Sequence, residues 1–400
     1  VSRVFSASLF AVKRQEVMGC FGSFSFAVAV VGLGVSFYSL HRRYGDLDRI
    51  DCREYHLAPA PKLQGALSVN NALEKADYIL LNQIAGPESL IVEGDHIYAT
   101  LADGRIVTID KGVITRELRL TKEKNCGTFE KEPSCGRPLG IRRLNKDELI
   151  VADAYLGVFV INPNTAAVRR VLDSRVAIAG SLPRFLNDID ILNSDEVIVT
   201  DSSYKNDRRH FMNEILEGGG NGRVIKLCIS TGEASVLLDG LHFANGIQIL
   251  PDKKSFVVSE LTRAKITRYW LESGKRTTFV ENLPGLPDNI RLSSNGTLWV
   301  GLAGIRHADM KNTLDLIASY PRVRQLLLDT LPDPIMTGML PRIKSPHALV
   351  AQLDLSGRLI STLHDVQRVK VGDVSQVTDS GDFLYMGSFH SPYIARLRKF

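Results

Sequence analysis

Short runs of alternating apolar and polar residues, separated by turns rich in Gly, Asp and Asn, dominate the chain from Gly86 onward. Period-two alternation of this kind predicts half-buried β-strands. One unit returns at intervals of about fifty residues. A polar residue opens a short apolar strand, a turn follows, then a second strand that ends on a polar residue, then a third after a Gly. The unit begins at Gly86 (GPESLIVEGDHIYATLADGRIVTID), Arg137 (RPLGIRRLNKDELIVADAYLGVFVINP), Phe185 (FLNDIDILNSDEVIVTDSS), Phe243 (FANGIQILPDKKSFVVSELTRAKITRYWL), Pro287 (PDNIRLSSNGTLWVGLAG) and Val374 (VSQVTDSGDFLYMGSFHSPYIARLRKF). Repeats of three or four strands at this spacing are propeller blades. Six starts predict an all-β, six-bladed β-propeller over residues 60–400. Ring closure then requires a strand for the last blade from residues 60–85.

Two segments break the rhythm. Residues 304–345 carry LDLIASY and VRQLLLDTL, whose apolar residues recur at spacings of three and four. That spacing predicts a helical insertion in blade five, acting as a packing cap, a tunnel lid or a membrane-contacting patch. From Val17 to Leu40 there is no charged residue, a length that suits a transmembrane helix. A cleaved signal sequence is the competing reading, but the run is long for a signal core and no small-x-small site follows it. The expected order is a tail (1–16), an anchor helix (17–40), a juxtamembrane linker (41–59) and the propeller. Lys13 and Arg14 before the apolar run nearly balance His41, Arg42 and Arg43 after it, so the flanks do not orient it.

Charge adds little beyond this. The net charge is +5, with six Lys/Arg against three Asp/Glu in the first fifty residues and near neutrality beyond. No basic stripe interleaved with aromatics is present, so no nucleic-acid partner is expected. Cys126 and Cys135 bracket the polar loop NCGTFEKEPSC, which predicts a disulfide and an oxidising compartment. Cys228, between apolar neighbours in VIKLCIS, reads as a buried strand thiol. Asn295-Gly296-Thr297 is a glycosylation sequon in a predicted hairpin turn.

The first strand of a propeller blade lines the central channel. The starts of these strands carry Glu88, Asn187, Asn245 and the pair Asp288 and Asn289. Taken singly, each is a turn former. Taken in phase, they bring carboxylate and amide oxygens from four blades to one axis, which is calcium chemistry. With no His/Cys set among them, zinc and iron do not suit the position.

GPESL, CGRPLGIR with VADAYLG, FLNDIDI with TDSS, FANGI with SELTR, and LPGLPDNIR with LWVG, in this order, resemble the strictosidine-synthase-like and paraoxonase-like family of calcium-dependent propellers. The resemblance covers the chain from about residue 60 onward. It implies a calcium ion on Glu88, Asn187, Asn245, Asp288 and Asn289. It also implies a type II topology, with the propeller luminal or extracellular. Two departures stand out. Leu139 occupies the place of a paraoxonase histidine proposed to move protons, and Ser375 that of the glutamate strictosidine synthase needs for its condensation.

Three functions follow as expectations. The first is a calcium-dependent hydrolase of small aryl esters or lactones, with Asp288 as general base. The second is a non-catalytic module with structural calcium and a protein or glycan ligand. The third, condensation, is disfavoured by Ser375. Asp153, Asp201 and Glu260, at the ends of second strands, are expected to hydrogen-bond the ligand asparagines. His347 and His390 are expected at the tunnel mouth or in surface or core roles.

Overall fold

The computed structural model of the chain describes residues 50–310, 312–333, 335–338 and 346–399, together with Gly32 and Gly34. The proposed anchor at 17–40 otherwise lies outside the described residues. Among the described residues no helix is long and apolar enough to cross a membrane.

The repeats fold into six four-stranded antiparallel sheets. Their innermost strands are Leu90–Glu93, Pro138–Arg143, Leu186–Ile191, Ala244–Ile249, Gly285–Leu292 and Gln376–Ser380. Each neighbours the next, and the last returns to the first, so they form a closed ring around the axis. Closure is made by Asp77–Ile79, which pairs with Ile394–Arg398 as the outer strand of blade six. Each sheet packs face to face on its neighbour. The core is therefore six apolar interfaces, such as Ile150, Val160, Leu186 and Val199 between blades two and three. Full burial of each such side chain contributes about 1.5–3 kcal/mol.

A seventh apolar cluster caps one end of the ring. It is built from Leu139, Phe185, Met212, Ile215, Phe243, Leu286 and Leu328. The cap comes from two insertions. Blade three supplies the turn Arg208–His210 and the helix Phe211–Glu217. Blade five supplies helices Thr313–Ile317 and Pro321–Thr330, within a span whose residues 311, 334 and 339–345 are outside the described set. The buried guanidinium of Arg324 ties these pieces together by donating to the carbonyls of Ile317, Ala318, Leu216 and Arg53. From Ile50 the chain runs along this cap, with Arg53 N bonded to Glu217 O at 2.9 Å and Tyr55 buried under Arg263 and Arg324.

The Cys126–Cys135 disulfide is present in the connection from blade one to blade two. Asn295 is exposed on the turn closed by Ser293 N to Thr297 O at 2.7 Å. Cys228 departs from expectation. Leu227 and Ile229 take the buried positions, while the half-buried Cys228 thiol faces Asp195.

Candidate functional site

The five predicted ligand residues converge because of a local irregularity that recurs around the ring. In blades two to five the inner strand shifts register against its neighbour at an equivalent place, and in blade five also between Leu286 and Pro287. The shift falls at Leu139–Gly140, Asn187–Asp188, Asn245–Gly246 and Asp288–Asn289 in turn. Such bulges re-aim side chains that regular alternation would send elsewhere. Two of these positions require glycine for space. A Cβ on Gly140 would lie 2.7 Å from Asp188 Cα, and one on Gly246 would lie 2.4 Å from Asp288 O. Adjacent inner strands therefore meet backbone to backbone at the axis.

Glu88, Asn187, Asn245, Asp288 and Asn289 are all buried. Each keeps one buried oxygen without a hydrogen-bond partner: Glu88 Oε2 and the Oδ1 atoms of the other four. A buried oxygen left without a donor is costly and rare in a folded protein. Five such oxygens converging on one axis fit a cation as their common partner. Among the described residues no group of three or more His, Cys, Asp or Glu is placed to hold a metal. The axial set differs in kind, since three of its five members are neutral amides, whose oxygens suit a hard cation.

Electrostatics point the same way. Burial raises the Glu88 carboxyl above its ordinary range, opposed by Arg137 and Arg208. Burial together with the charges of Glu88 and Asp188 pushes Asp288 well above the usual carboxylate range. Ser375, at the matching start in blade six, lies against both carboxylates.

Below the oxygens the axis is filled. Arg291 donates to both oxygens of Asp188, at 2.7 and 3.0 Å, and to Ser89 Oγ at 3.1 Å. Ser89 Oγ in turn donates to Gln376 Oε1 at 2.7 Å. Burial alone would raise Asp188, but Arg142 and Arg291 overcome it and hold the carboxyl below its ordinary value. This plug is absent from the sequence reading. Its trace there is that Arg291 stands two residues after Asn289, on the same face of one strand.

Above the oxygens lies a pocket enclosing about 1060 Å³ of space, its open mouth included. Its polar floor is formed by Glu88, Asn187, Asn245 and Asp288. Phe185, Phe243, Phe389, Leu139 and Leu286 rise from the blades, and Phe211, Met212 and Leu314 come down from the two insertions. Among the described residues no histidine lines it.

The roles expected of Asp153, Asp201 and Glu260 are corrected. Asp153 accepts the backbone N–H groups of Tyr155 and Leu156 at 3.0 Å. Asp201 accepts Phe185 N and Arg223 Nε, and Glu260 accepts Thr267, Arg276 and His242 N. These carboxylates sit at strand ends, where unpaired N–H groups and cross-strand Arg side chains are the nearer donors. Asn187 is oriented instead by Ser202 Oγ at 3.0 Å, and the Asp288 carbonyl accepts Ser259 Oγ at 2.8 Å. His347 is buried against His364 at 2.9 Å, and His390 is exposed beside Asp373, so neither reaches the pocket.

A strictosidine synthase-like N-terminal family model matches residues 65–109, and a strictosidine synthase model matches residues 187–274. Adipocyte plasma membrane-associated protein of Gallus gallus is 38% identical over 352 residues, covering 87% of this chain and 84% of that protein. The Homo sapiens protein of the same name is 37% identical, covering 87% and 83%. Protein STRICTOSIDINE SYNTHASE-LIKE 3 of Arabidopsis thaliana is 32% identical, covering 85% and 89%. Among solved structures, a gluconolactonase from Xanthomonas campestris superposes with a TM-score of 0.52 at 16% identity, covering 86% of this chain and 96% of that one. A calcium-binding protein, regucalcin, from Agrobacterium tumefaciens gives 0.50 at 12%, covering 86% and 95%. These last two likenesses establish the fold, while the sequence matches establish kinship. The chain belongs to the strictosidine synthase-like family, in its adipocyte plasma membrane-associated protein group.

Proposed function

We propose that this chain is a membrane-anchored, calcium-dependent hydrolase of aryl esters or lactones. One observation carries the reading: of five buried oxygens without hydrogen-bond partners, four belong to the residues that floor a largely apolar pocket. Glu88, Asn187, Asn245, Asp288 and Asn289 are the residues that would hold the ion. Bound there, calcium supplies a Lewis acid for a carbonyl oxygen.

The chain's own residues do the rest. The rings of Phe185, Phe243 and Phe389 receive an aryl or alkyl group and exclude bulk water from the floor. With Leu139 where a proton-moving histidine stands in paraoxonases, proton transfer falls to a carboxylate. Asp288 takes a proton from the attacking water as the new carbon–oxygen bond forms. It returns the proton to the departing phenoxide or alkoxide oxygen as the old bond breaks. Ser375, where a condensing enzyme needs a carboxylate, argues against condensation. The anchor is assigned to residues 17–40, in keeping with relatives named for plasma membrane association.

The test is hydrolysis of phenyl acetate and a simple lactone by the full chain, with calcium, with chelator, and with calcium restored. Asn245→Ala and Asp288→Ala are expected to abolish calcium-dependent turnover while remaining folded. Turnover that ignores calcium would sink the mechanism. No turnover, with a melting temperature that still rises with calcium, would make the propeller a binding module with structural calcium.

A further inference from the structure

One charged side chain lines the upper wall of the pocket, where the other polar side chains are Asn312 and Thr313. Arg208 stands in the turn before the blade-three helix, capped by Asp207, which accepts Arg209 N at 2.9 Å. Its Nη1 is held 3.0 Å from both oxygens of Glu132. Glu132 is fixed in turn by Tyr155 Oη at 2.5 Å and belongs to the helical turn Glu132–Cys135, closed by the Cys126–Cys135 disulfide. Arg208 is thus anchored through one nitrogen. Its Nε and Nη2 make no hydrogen bond to any described residue, and its side chain stays one-fifth exposed at the pocket. An arginine braced in this way keeps the other edge of its fork for a second partner.

A second guanidinium stands behind the same wall. Arg137 is fully buried, donates Nη2 to Phe389 O at 2.9 Å, and lies 3.7 Å from Glu88 Oε2. Its Nε and Nη1 are buried without a hydrogen-bond partner. Both cations bear on Glu88. Without a cation on the floor, the carboxylates of Glu88 and Asp288 would repel an anion. With calcium neutralising them, Arg208 and Arg137 outweigh Glu132 by one positive charge.

We propose that the pocket selects an amphipathic monoanion, an apolar ring or chain ending in one carboxylate, with Arg208 as the residue that recognises the carboxylate. Resting on the calcium reading above, the same argument makes carboxylate and calcium bind with positive coupling, each strengthening the other. For a hydrolase, the preferred substrates are then half-esters of dicarboxylic acids rather than neutral acetates.

The test is titration of the full chain in lipid nanodiscs with 4-phenylbutyrate and its neutral isostere 4-phenylbutyramide, in calcium and in chelator. A charge-assisted hydrogen bond is worth about tenfold in affinity. The carboxylate is expected to bind about tenfold tighter than the amide in calcium, with the preference reduced in chelator. Arg208→Gln is expected to remove that preference. Arg208→Lys should restore part of it, since it keeps the charge and loses the fork. The calcium-dependent rise in melting temperature, retained in both variants, shows that they fold. Equal affinity for the two ligands, or a preference that survives Arg208→Gln, would overturn the proposal. Hydrolysis of phenyl acetate and of the half-ester monophenyl succinate, measured in parallel, separates this inference from the reading it rests on. Selectivity without turnover leaves Arg208 its role and ends the hydrolase reading, whereas turnover without selectivity does the reverse.

Discussion

At the scale of single residues, the site depends on glycines as much as on the oxygens themselves. Asn245 reaches the axis because its strand bulges at Asn245–Gly246, and Gly246 lets the next blade's Asp288 carbonyl come within 2.4 Å of where a Cβ would stand. The neighbouring atom is backbone and has no rotamer by which to move aside. Gly246→Ala is therefore expected to push blades four and five apart at the cage. The cost is about 1–3 kcal/mol of stability by overpacking. Urea unfolding with and without calcium checks this. The variant should lose both stability and most of its calcium-dependent stabilisation, and an unchanged calcium increment would show that the close approach does not set the cage.

At the scale of elements, two insertions convert an open tunnel into a pocket, and side chains join them to each other and to the blades. His210 bridges Asp207 at 2.7 Å and Asp333 at 3.1 Å, linking the blade-three turn to the blade-five insertion. On the other side, Glu132 and Phe129 of the disulfide loop meet Arg208 and Arg209. The disulfide spans nine positions, so its chain-entropy contribution is roughly 2–3 kcal/mol. Cys126→Ser with Cys135→Ser should lower the thermal midpoint accordingly. It should also weaken 4-phenylbutyrate binding, because Glu132 no longer braces Arg208. Loss of stability with full retention of carboxylate affinity would show that the loop does not position the arginine.

At the scale of the whole molecule, the ring closes on three residues. Asp77–Ile79 is the outer strand of blade six, contributed from before blade one. Without it, Ile394–Arg398 becomes an unpaired sheet edge, and the interface of Ile79, Leu80, Tyr385 and Ile394 between blades six and one is opened. A chain begun at residue 83 is expected to aggregate or to lack a cooperative melt by calorimetry. A soluble monomer melting like the full chain would mean that blade six is closed another way.

The sequence by itself determined what is local and repeated. Alternation and turn residues specify strands, six returns of one unit specify six blades, and equivalent polar starts specify which side chains share an axis. Each of these depends on neighbours along the chain or on a period, so Glu88, Asn187, Asn245, Asp288 and Asn289 were legible without coordinates. What only the tertiary structure decided depends on groups brought together from distant positions. The bulges that aim those side chains arise where adjacent inner strands meet at Gly140 and Gly246. The partners of Asp153, Asp201 and Glu260 were misread because a strand-end carboxylate takes the nearest donor, and which donor is nearest is a matter of packing. In the sequence Arg208 is one of several charges in the stretch KNDRRH. It became the cation of the pocket because the fold sets it 3.0 Å from Glu132, a residue 76 positions away.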